Sequence, residues 1–363
     1  MLHFSPTEEQ EEIRSLAHSL ATEQLRPQGR SSEKDGDISL SLMQTLTRTG
    51  LTAPFPEIYG GSGPIEAITY AMIAEELAYG DGALATNIIG SMMGPLTVAL
   101  AGSVEQQERA IPPFCDPQTA PTRRGSLAFA EHTGGYSLSE ISAMARRDGD
   151  TYILNGSKRN VIHGTQSAPS VVLLRRNGSE GSQGLLAFIL PAQLAGLRIR
   201  PDVEKLGLIA APSASYTFEQ TVVPASCMLS DQNGVIRAAT LYAILRAGIA
   251  CGTARAALEY ASDYAKERIA FGRPIVSYQG IAFIIAETAM KLDAARLLLW
   301  NAASNWDKGV DHETLIRDAE AAQNQALKIG KAATIDAIQI MGGAGFIQDH
   351  PAEMWMRNAA AME

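Results

Sequence analysis

Three long alanine-rich stretches in the last third of the chain restrict its fold more than any other segment. They span Val235 to Arg268, Tyr278 to Asp307 and His312 to Met341, and short turn segments separate them. Apolar residues recur in each stretch with the helical period, and long helices with short connections pack antiparallel in bundles. We therefore expect a C-terminal four-helix bundle over residues 232–363.

Two further regions precede this bundle. Ser5-Pro6-Thr7-Glu8 is a good helix start. Ser and Glu side chains can accept hydrogen bonds from the first backbone amides of the helix, and Pro has no amide hydrogen that needs an acceptor. Helical patterns continue at 40–49, 65–78 and 83–101. Short runs rich in β-branched and aromatic residues follow at 151–154, before Asn155-Gly156, and at 170–174, 185–190 and 215–219. The expected class is α+β, with an N-terminal helical domain over 1–119 and an antiparallel, β-barrel-like middle domain over 120–231.

Composition narrows the class of protein further. Hydrophobic residues make up 46% of the chain and charged residues 19%, which excludes a disordered or fibrous protein. The formal net charge of −9, without a long basic block, argues against a nucleic-acid or anionic-membrane surface. Three scattered cysteines lack metal-ligand spacing, and the N-terminus carries no targeting pattern. We expect a cytoplasmic protein that binds a small molecule, without a metal, a nucleic acid or a membrane.

Several segments are more specific than composition. Residues 268–275 read Arg-Ile-Ala-Phe-Gly-Arg-Pro-Ile, with Gln279 behind them, and residues 337–346 read Ala-Ile-Gln-Ile-Met-Gly-Gly-Ala-Gly-Phe. Residues 59–63 read Tyr-Gly-Gly-Ser-Gly. Together with residues 131–145, 148–158 and 205–224, and in this order along essentially the whole chain, these segments resemble the acyl-CoA dehydrogenase family.

The resemblance implies a homotetrameric flavoprotein that removes hydrogen from the α and β carbons of an acyl thioester. In the family a carboxylate takes the α proton, FAD accepts the β hydride, and an electron-transfer flavoprotein reoxidises the FAD. An α proton is too weakly acidic for a carboxylate unless the thioester carbonyl is polarised and water is excluded. The implied substrate is an acyl-CoA or another acyl thioester.

The resemblance also assigns residues to the FAD pyrophosphate and adenine, which the family binds partly with a neighbouring subunit. The matching positions are Arg268, Phe271, Gln279, Gln339, Gly342 and Gly343. A guanidinium forks onto phosphate oxygens, and glycines let backbone amides approach an anion. Read without a ligand, Arg268 would be a solvated helix-end charge and the two glycines a helix C-cap. A site shared in this way requires at least a dimer.

The residues expected beside the flavin ring depart from the family pattern. Ala130 replaces a Thr that bonds the ring, Asn160 replaces a Trp that shields it, and Ile162 replaces the Thr beside N5. The backbone amides of Phe129 and Ala130 stand where ring contacts would come from. We include Phe129, Ala130 and Ile162 among the expected cofactor-binding residues.

No catalytic carboxylate is identifiable in the sequence. The family places its Glu either three residues beyond Glu363 or on the first bundle helix, at the position of Tyr242. A phenol, with a pKa of about 10, is a poor base, which favours a packing role for Tyr242. Glu353 and Glu363 match neither position. His132 and His163 fall in the loops expected near the flavin, as acid–base groups or as polar loop residues.

The first hypothesis is a FAD-dependent acyl-CoA dehydrogenase-like oxidoreductase with an electron-transfer flavoprotein or a similar acceptor. The chain would form a homodimer or homotetramer. An alternative hypothesis is a non-catalytic partner subunit of a heteromeric acyl-CoA dehydrogenase, and a third is a flavin-dependent monooxygenase on the same fold.

Overall fold

The computed structural model describes residues 5–133, 135–180 and 184–363. Its N-terminal part is helical, as the sequence predicts. The helices are α1 (Glu8–Leu20), α2 (Arg26–Asp35), α3 (Leu40–Arg48), α4 (Ala67–Gly80), α5 (Gly82–Ala101), α6 (Val104–Ala110) and α7 (Pro112–Cys115), with a π-helical turn at Ala21–Leu25. Apolar residues of α4 and α5 are buried on nearly all sides, so these two helices lie at the centre of this part of the molecule.

The start of α1 differs by two residues from the predicted cap. The Thr7 hydroxyl accepts a hydrogen bond from the Gln10 amide at 3.2 Å, and the Gln10 side chain accepts one from the Thr7 amide at 3.0 Å. This reciprocal pair is a capping box that uses Thr and Gln instead of Ser5 and Glu8. The capping chemistry was predicted correctly, and the wrong residues were assigned to it.

The middle part of the chain forms a β-sheet. Its strands are β1 (Ser126–Ala128), β2 (Met144–Asp148), β3 (Thr151–Ile162), β4 (Ser170–Arg176), β5 (Leu185–Leu190), β6 (Leu197–Pro201) and β7 (Ser213–Pro224). The spatial order is β1-β4-β2-β3-β7-β6, with β5 beside β4. Most pairs are antiparallel, as expected, but β4 runs parallel to β1 and to β2.

The prediction of a strand end at Asn155-Gly156 is wrong. Strand β3 continues through both residues to Ile162, with a shift of register against β7 at this point. Gly156 adopts a φ of +130°, and a Cβ there would lie 2.6 Å from the Cα of Ala143, the residue just before β2. Glycine at this position is therefore a bulge that lets β2 approach closely, and it does not mark a turn.

The C-terminal part is the expected helical bundle. Its long helices are α8 (Gln232–Glu267), α9 (Gln279–Lys308) and α10 (His312–Met341), and the short α11 (Ala352–Ala361) packs at their end. A two-strand hairpin, β8 (Ile269–Ala270) with β9 (Arg273–Pro274), joins α8 to α9. Helix α8 contacts α4, α5, α9 and α10, which makes the bundle and the N-terminal helices one continuous apolar core.

Two helices, α5 and α8, are long and apolar enough to cross a membrane by length and composition alone. Their most apolar windows are 83% and 94% buried inside the protein. Buried core helices commonly pass such a test, so this pattern is weak evidence for a membrane span.

Candidate functional site

A cavity of about 530 Å³ opens where the helical N-terminal part, the sheet and the bundle meet. Helix α5, strand β3, the loop at 205–208, helix α8 and helix α11 contribute its walls. The lining residues that the argument uses are Tyr136, Asn160, Ile162, Lys205, Tyr242, Arg246 and Arg357. Most of the remaining wall is aliphatic, and the charged side chains among the described lining residues are all cationic.

Arg246 is a charged residue inside an apolar helix. Its side chain donates to the Gln323 side-chain oxygen at 2.9 Å and to the Met362 carbonyl, and the residue is 8% exposed. Its guanidinium covers the ring of Tyr136. We missed this residue in the sequence, where its signal was a lone charge within the apolar run 238–254.

Tyr242 lies in the cavity wall, edge to face against Tyr136 at a ring separation of 5.8 Å. Burial and the neighbouring Tyr136 raise the pKa of Tyr242 above its ordinary value. The phenol is therefore neutral across the physiological range, and it can donate a proton in a hydrogen bond but not accept one as a general base. This agrees with the packing interpretation of Tyr242.

The other two cations at the cavity are already paired. The Lys205 ammonium donates to the carbonyls of Leu208 and Ala211 at 2.8 and 2.6 Å. Arg357 bonds Glu33, Glu353 and the Leu206 carbonyl. These contacts connect the loop at 205–208 to α11, and α11 to α2. The loop at the cavity mouth is therefore held in place by both helices.

The segment that leads from β1 to the cavity rests on a buried ion pair. The Lys158 ammonium lies 2.6 Å from the Glu131 carboxylate, and the two residues are 1% and 4% exposed. Burial lowers the pKa of Lys158 to about 8 in spite of this pairing. Burial alone would raise the pKa of Glu131, but Lys158 and hydrogen bonds from Ser142 lower it below its ordinary value. Both groups are therefore charged near neutral pH.

Phe129 and Ala130, expected beside the flavin ring, are each 1% exposed. Within the described part of the chain neither backbone amide donates to a protein acceptor. Ile162 and Asn160 line the cavity itself, and Asn160 adopts a φ of +52° that turns the strand end toward it. Of the three residues expected beside the ring, Ile162 lines the cavity, whereas Phe129 and Ala130 do not. Phe129 contacts the ring of the lining residue Tyr136.

The residues matched to the pyrophosphate site lie elsewhere. All of Arg268, Phe271, Gln279, Gln339, Gly342 and Gly343 are exposed, and none lines the cavity. They lie in the connection from α8 to the start of α9 and at the end of α10 with the segment that follows it. These two regions flank one apolar cluster, where Ile275 and Ala344 pack. Phe271 is 96% exposed, which is unusual for a large aromatic side chain.

The two histidines are not arranged for acid–base chemistry. His132 is exposed, and neither His132 nor His163 belongs to the cavity lining. His163 is 1% exposed with its Nε2 3.0 Å from the Asn87 carbonyl oxygen, and burial lowers its pKa to about 4. A neutral, enclosed imidazole fits the interpretation as a polar loop residue.

The carboxylates near the end of the chain are engaged in ion pairs. Glu353 pairs with Arg30 and Arg357, and Glu363 lies 2.6 Å from the Lys331 ammonium. Neither acid lines the cavity. Both carboxylates are therefore engaged outside the cavity.

Three domain families match the chain in order. The N-terminal, middle and C-terminal domains of acyl-CoA dehydrogenase match residues 7–118, 126–221 and 233–363. An acyl-CoA dehydrogenase of Bacillus subtilis is 29% identical over 359 residues, covering 97% of this chain and 93% of the relative. A 3-(aryl)acrylate reductase of Clostridium sporogenes is 31% identical over 361 residues, with coverage of 97% and 93%.

Comparison of the whole fold with solved structures indicates the same family. Butyryl-CoA dehydrogenase from Megasphaera elsdenii superposes with a TM-score of 0.82 at 29% identity, covering 99% of this chain and 95% of that structure. Its likeness extends over the helical N-terminal part, the sheet and the bundle together. Since three ordered domain matches span nearly the whole sequence and the fold agrees from end to end, the chain belongs to the acyl-CoA dehydrogenase family.

Proposed function

We propose that this chain is a FAD-dependent acyl-CoA dehydrogenase-like oxidoreductase that removes two hydrogens from the α and β carbons of an acyl thioester. The observation that carries the proposal is the cavity at the junction of the three family domains. Its walls are mostly aliphatic and aromatic. Such walls disfavour water, and a reaction at a weakly acidic α carbon requires that water be kept away.

The residues beside the cavity fit a flavin. A buried amide without an acceptor is costly, and the amides of Phe129 and Ala130 are both of this kind among the described residues. The flavin ring offers oxygen and nitrogen acceptors to such donors, and Ile162 in the cavity wall would help to hold the ring. When bound, FAD supplies the hydride acceptor for the β carbon.

The chain's own residues prepare the cavity for this ligand. Arg246, fixed by Gln323 and covered by Tyr136, holds a positive charge at the wall, where it favours a substrate oxygen that gains negative charge. The rings of Tyr242 and Tyr136 close the adjoining wall. The group that takes the α proton is not among the cavity-lining residues that the structure describes.

We infer that the chain self-associates and that a second copy completes the cofactor site. The hairpin and loop that carry Arg268 and Gly343 are exposed and stand apart from the cavity of their own chain. Helix α9 beside them also exposes Phe283, Met290 and Leu297, at 59%, 65% and 52%. A second copy that covers this apolar face would bring Arg268 and Phe271 to its own FAD.

The proposed partners are an acyl-CoA and an electron-transfer flavoprotein or a similar acceptor, and the proposed compartment is the cytoplasm. The three cysteines form no disulfide, which suits a reducing compartment. A second candidate function is a partner subunit without catalysis. The observation in its favour is that no Asp or Glu occurs among the described residues lining the cavity.

The visible absorption spectrum of the purified protein, before and after addition of FAD, is the first test. Co-purifying flavin bands, together with turnover of an acyl-CoA panel in the presence of an artificial electron acceptor, would support the oxidoreductase. Flavin bands without turnover on any acyl-CoA would favour the partner subunit. A protein that binds no FAD would contradict the oxidoreductase and would direct the search to a partner subunit.

Arg268→Ala tests the shared site. We expect weaker FAD binding and unchanged folding, because the side chain is exposed and makes no ion pair among the described residues. Arg198→Ala is the matched control, since Arg198 is a surface arginine of β6 with 57% exposure and an ion pair to Glu219. Equal FAD affinity in the two variants would argue against the role of Arg268.

A further inference from the structure

Three successive carbonyl groups after β1 are held by two successive residues of β3. The Lys158 ammonium donates to the Phe129 carbonyl at 3.1 Å, and the Arg159 amide donates to the Ala130 carbonyl at 2.9 Å. The Arg159 side chain donates to the Glu131 carbonyl at 2.9 Å. All three carbonyls are thereby turned toward β3.

The Lys158 bond decides the direction of one amide. In a trans peptide the carbonyl and the following N–H point in opposite directions. Because the Phe129 carbonyl is directed at Lys158, the Ala130 N–H is directed away from Lys158. This amide has no acceptor among the described residues, although Ala130 is buried.

Lys158 has no other evident task. It does not line the cavity, and Glu131 is its ion-pair partner. Glu131 is itself held by the backbone amides of Ser142 and Ala143 at 2.8 and 3.1 Å, so the pair is anchored to the start of β2. A buried charge of this kind is difficult to explain by stability alone, since apolar side chains of similar volume often serve as well.

We propose that Lys158 is a positioning residue for the flavin. Its ammonium fixes the peptide between Phe129 and Ala130 so that the Ala130 amide is available to an acceptor of the flavin ring. The inference rests on the proposed function. It also explains how the site can do without the hydroxyl that Ala130 lacks, since the backbone then supplies the donor.

The test is the dissociation constant of FAD and the visible spectrum of the bound flavin in Lys158→Met. Without the ammonium the peptide can rotate, and we expect FAD affinity to fall by about tenfold, the equivalent of one hydrogen bond. The flavin bands should also shift, because a ring contact changes. Lys158→Gln retains a donor for the Phe129 carbonyl and should recover part of both effects.

Leu174→Ala is the matched control. Leu174 is fully buried in the same sheet, so its truncation destabilises the β domain without touching the three carbonyls. We expect it to lower thermal stability while FAD affinity and the flavin bands stay close to those of the wild type. If Lys158→Met does not fold, Lys158→Gln carries the comparison with this control.

The outcomes separate the two proposals. If the wild-type protein takes up no FAD, the proposed function fails and this inference fails with it. If the wild type binds FAD but the Lys158 variants bind it with the same affinity and spectrum, only the positioning role is overturned. An equal loss in Leu174→Ala would likewise overturn it, because general loosening of the sheet would then explain the effect.

Discussion

The guanidinium carbon of Arg246 lies 3.4 Å from the centre of the Tyr136 ring. This stacked pair joins the β-domain loop to the first bundle helix at the cavity wall. The ring also makes edge contacts with Phe129 and Tyr242, at 5.6 and 5.8 Å. The loop is thus positioned by an aromatic cluster around one buried charge.

Replacement of Tyr136 by Leu should destabilise the protein by about 1–2 kcal/mol, because a desolvated cation–π contact and the ring edge contacts are lost together. Tyr136→Phe keeps the ring and should lose less than half as much. Urea unfolding of both variants measures the difference. Equal losses would show that the hydroxyl, and not the stacked ring, holds the loop.

Glu75 should be among the most sensitive charged positions. It is 3% exposed, and its carboxylate pairs with Arg296 at 2.7 Å and with Arg255 at 3.3 Å, which joins α4 to α8 and α9. Glu75→Gln removes one charge partner from each guanidinium, while Glu76 still pairs with Arg255 and Asp293 with Arg296. We therefore expect a loss of about 2 kcal/mol, less than for a buried charge left without any partner. The measurement is the free energy of unfolding in urea.

The control for Glu75 is Glu287→Gln, which breaks an exposed pair with Lys291 on α9. Exposed pairs of this kind contribute little, so its effect should stay within about 0.5 kcal/mol. Similar losses in the two variants would contradict the conclusion that burial makes the ion pairs of Glu75 important for stability.

Asp81 should make stability depend on pH. It caps α5 by accepting from the amides of Ala83 and Leu84, but burial is the larger influence and raises its pKa from 3.8 to about 6. A carboxyl whose pKa is higher in the folded state contributes stability that is complete below the unfolded value. That contribution is lost as the pH rises through about 6.

Wild type and Asp81→Asn should therefore be compared by urea unfolding at pH 4, 5, 6 and 7. The wild type should lose stability relative to the variant as the pH rises, because only the wild type carries this carboxyl. Other titrating groups are common to both proteins and cancel in the difference. A difference that is constant with pH would mean that burial does not perturb Asp81.

Gly342 and Gly343 should respond differently to alanine. Gly342 caps α10 with a φ of +57° and a ψ of −130°, a conformation that residues with a Cβ avoid, whereas Gly343 has no positive φ. A Cβ meets no atom within 4 Å at either position. We expect Gly342→Ala to cost about 1–3 kcal/mol through backbone strain alone, and Gly343→Ala to leave stability nearly unchanged.

Thermal unfolding without cofactor measures that strain, and FAD titration measures the predicted phosphate role. If Gly343 lies against a pyrophosphate of a second copy, Gly343→Ala should weaken FAD binding even though it leaves stability unchanged. Unaltered FAD affinity in Gly343→Ala would argue against a phosphate contact at Gly343.

The sequence predicted the long helices and the family motifs of the chain. Helical periodicity placed the long helices of the bundle, because their apolar stripes repeat over many turns. The motifs around Arg268 and Gly343 identified the family. Residues typical of turns predicted the local structure less well. Asn155-Gly156 lies within β3, at a bulge whose form depends on the neighbouring β2.

Only the tertiary structure decided which charges are buried and what they touch. In the sequence, Lys158, Glu131 and Arg246 are ordinary charged residues. Lys158 and Glu131 are 27 residues apart, and the partners of all three lie on other elements. Desolvation and pairing depend on atoms that the fold brings from distant positions, and no local pattern encodes them. The sequence alone therefore determined the family and the order of its domains, while the fold determined how the cavity is built.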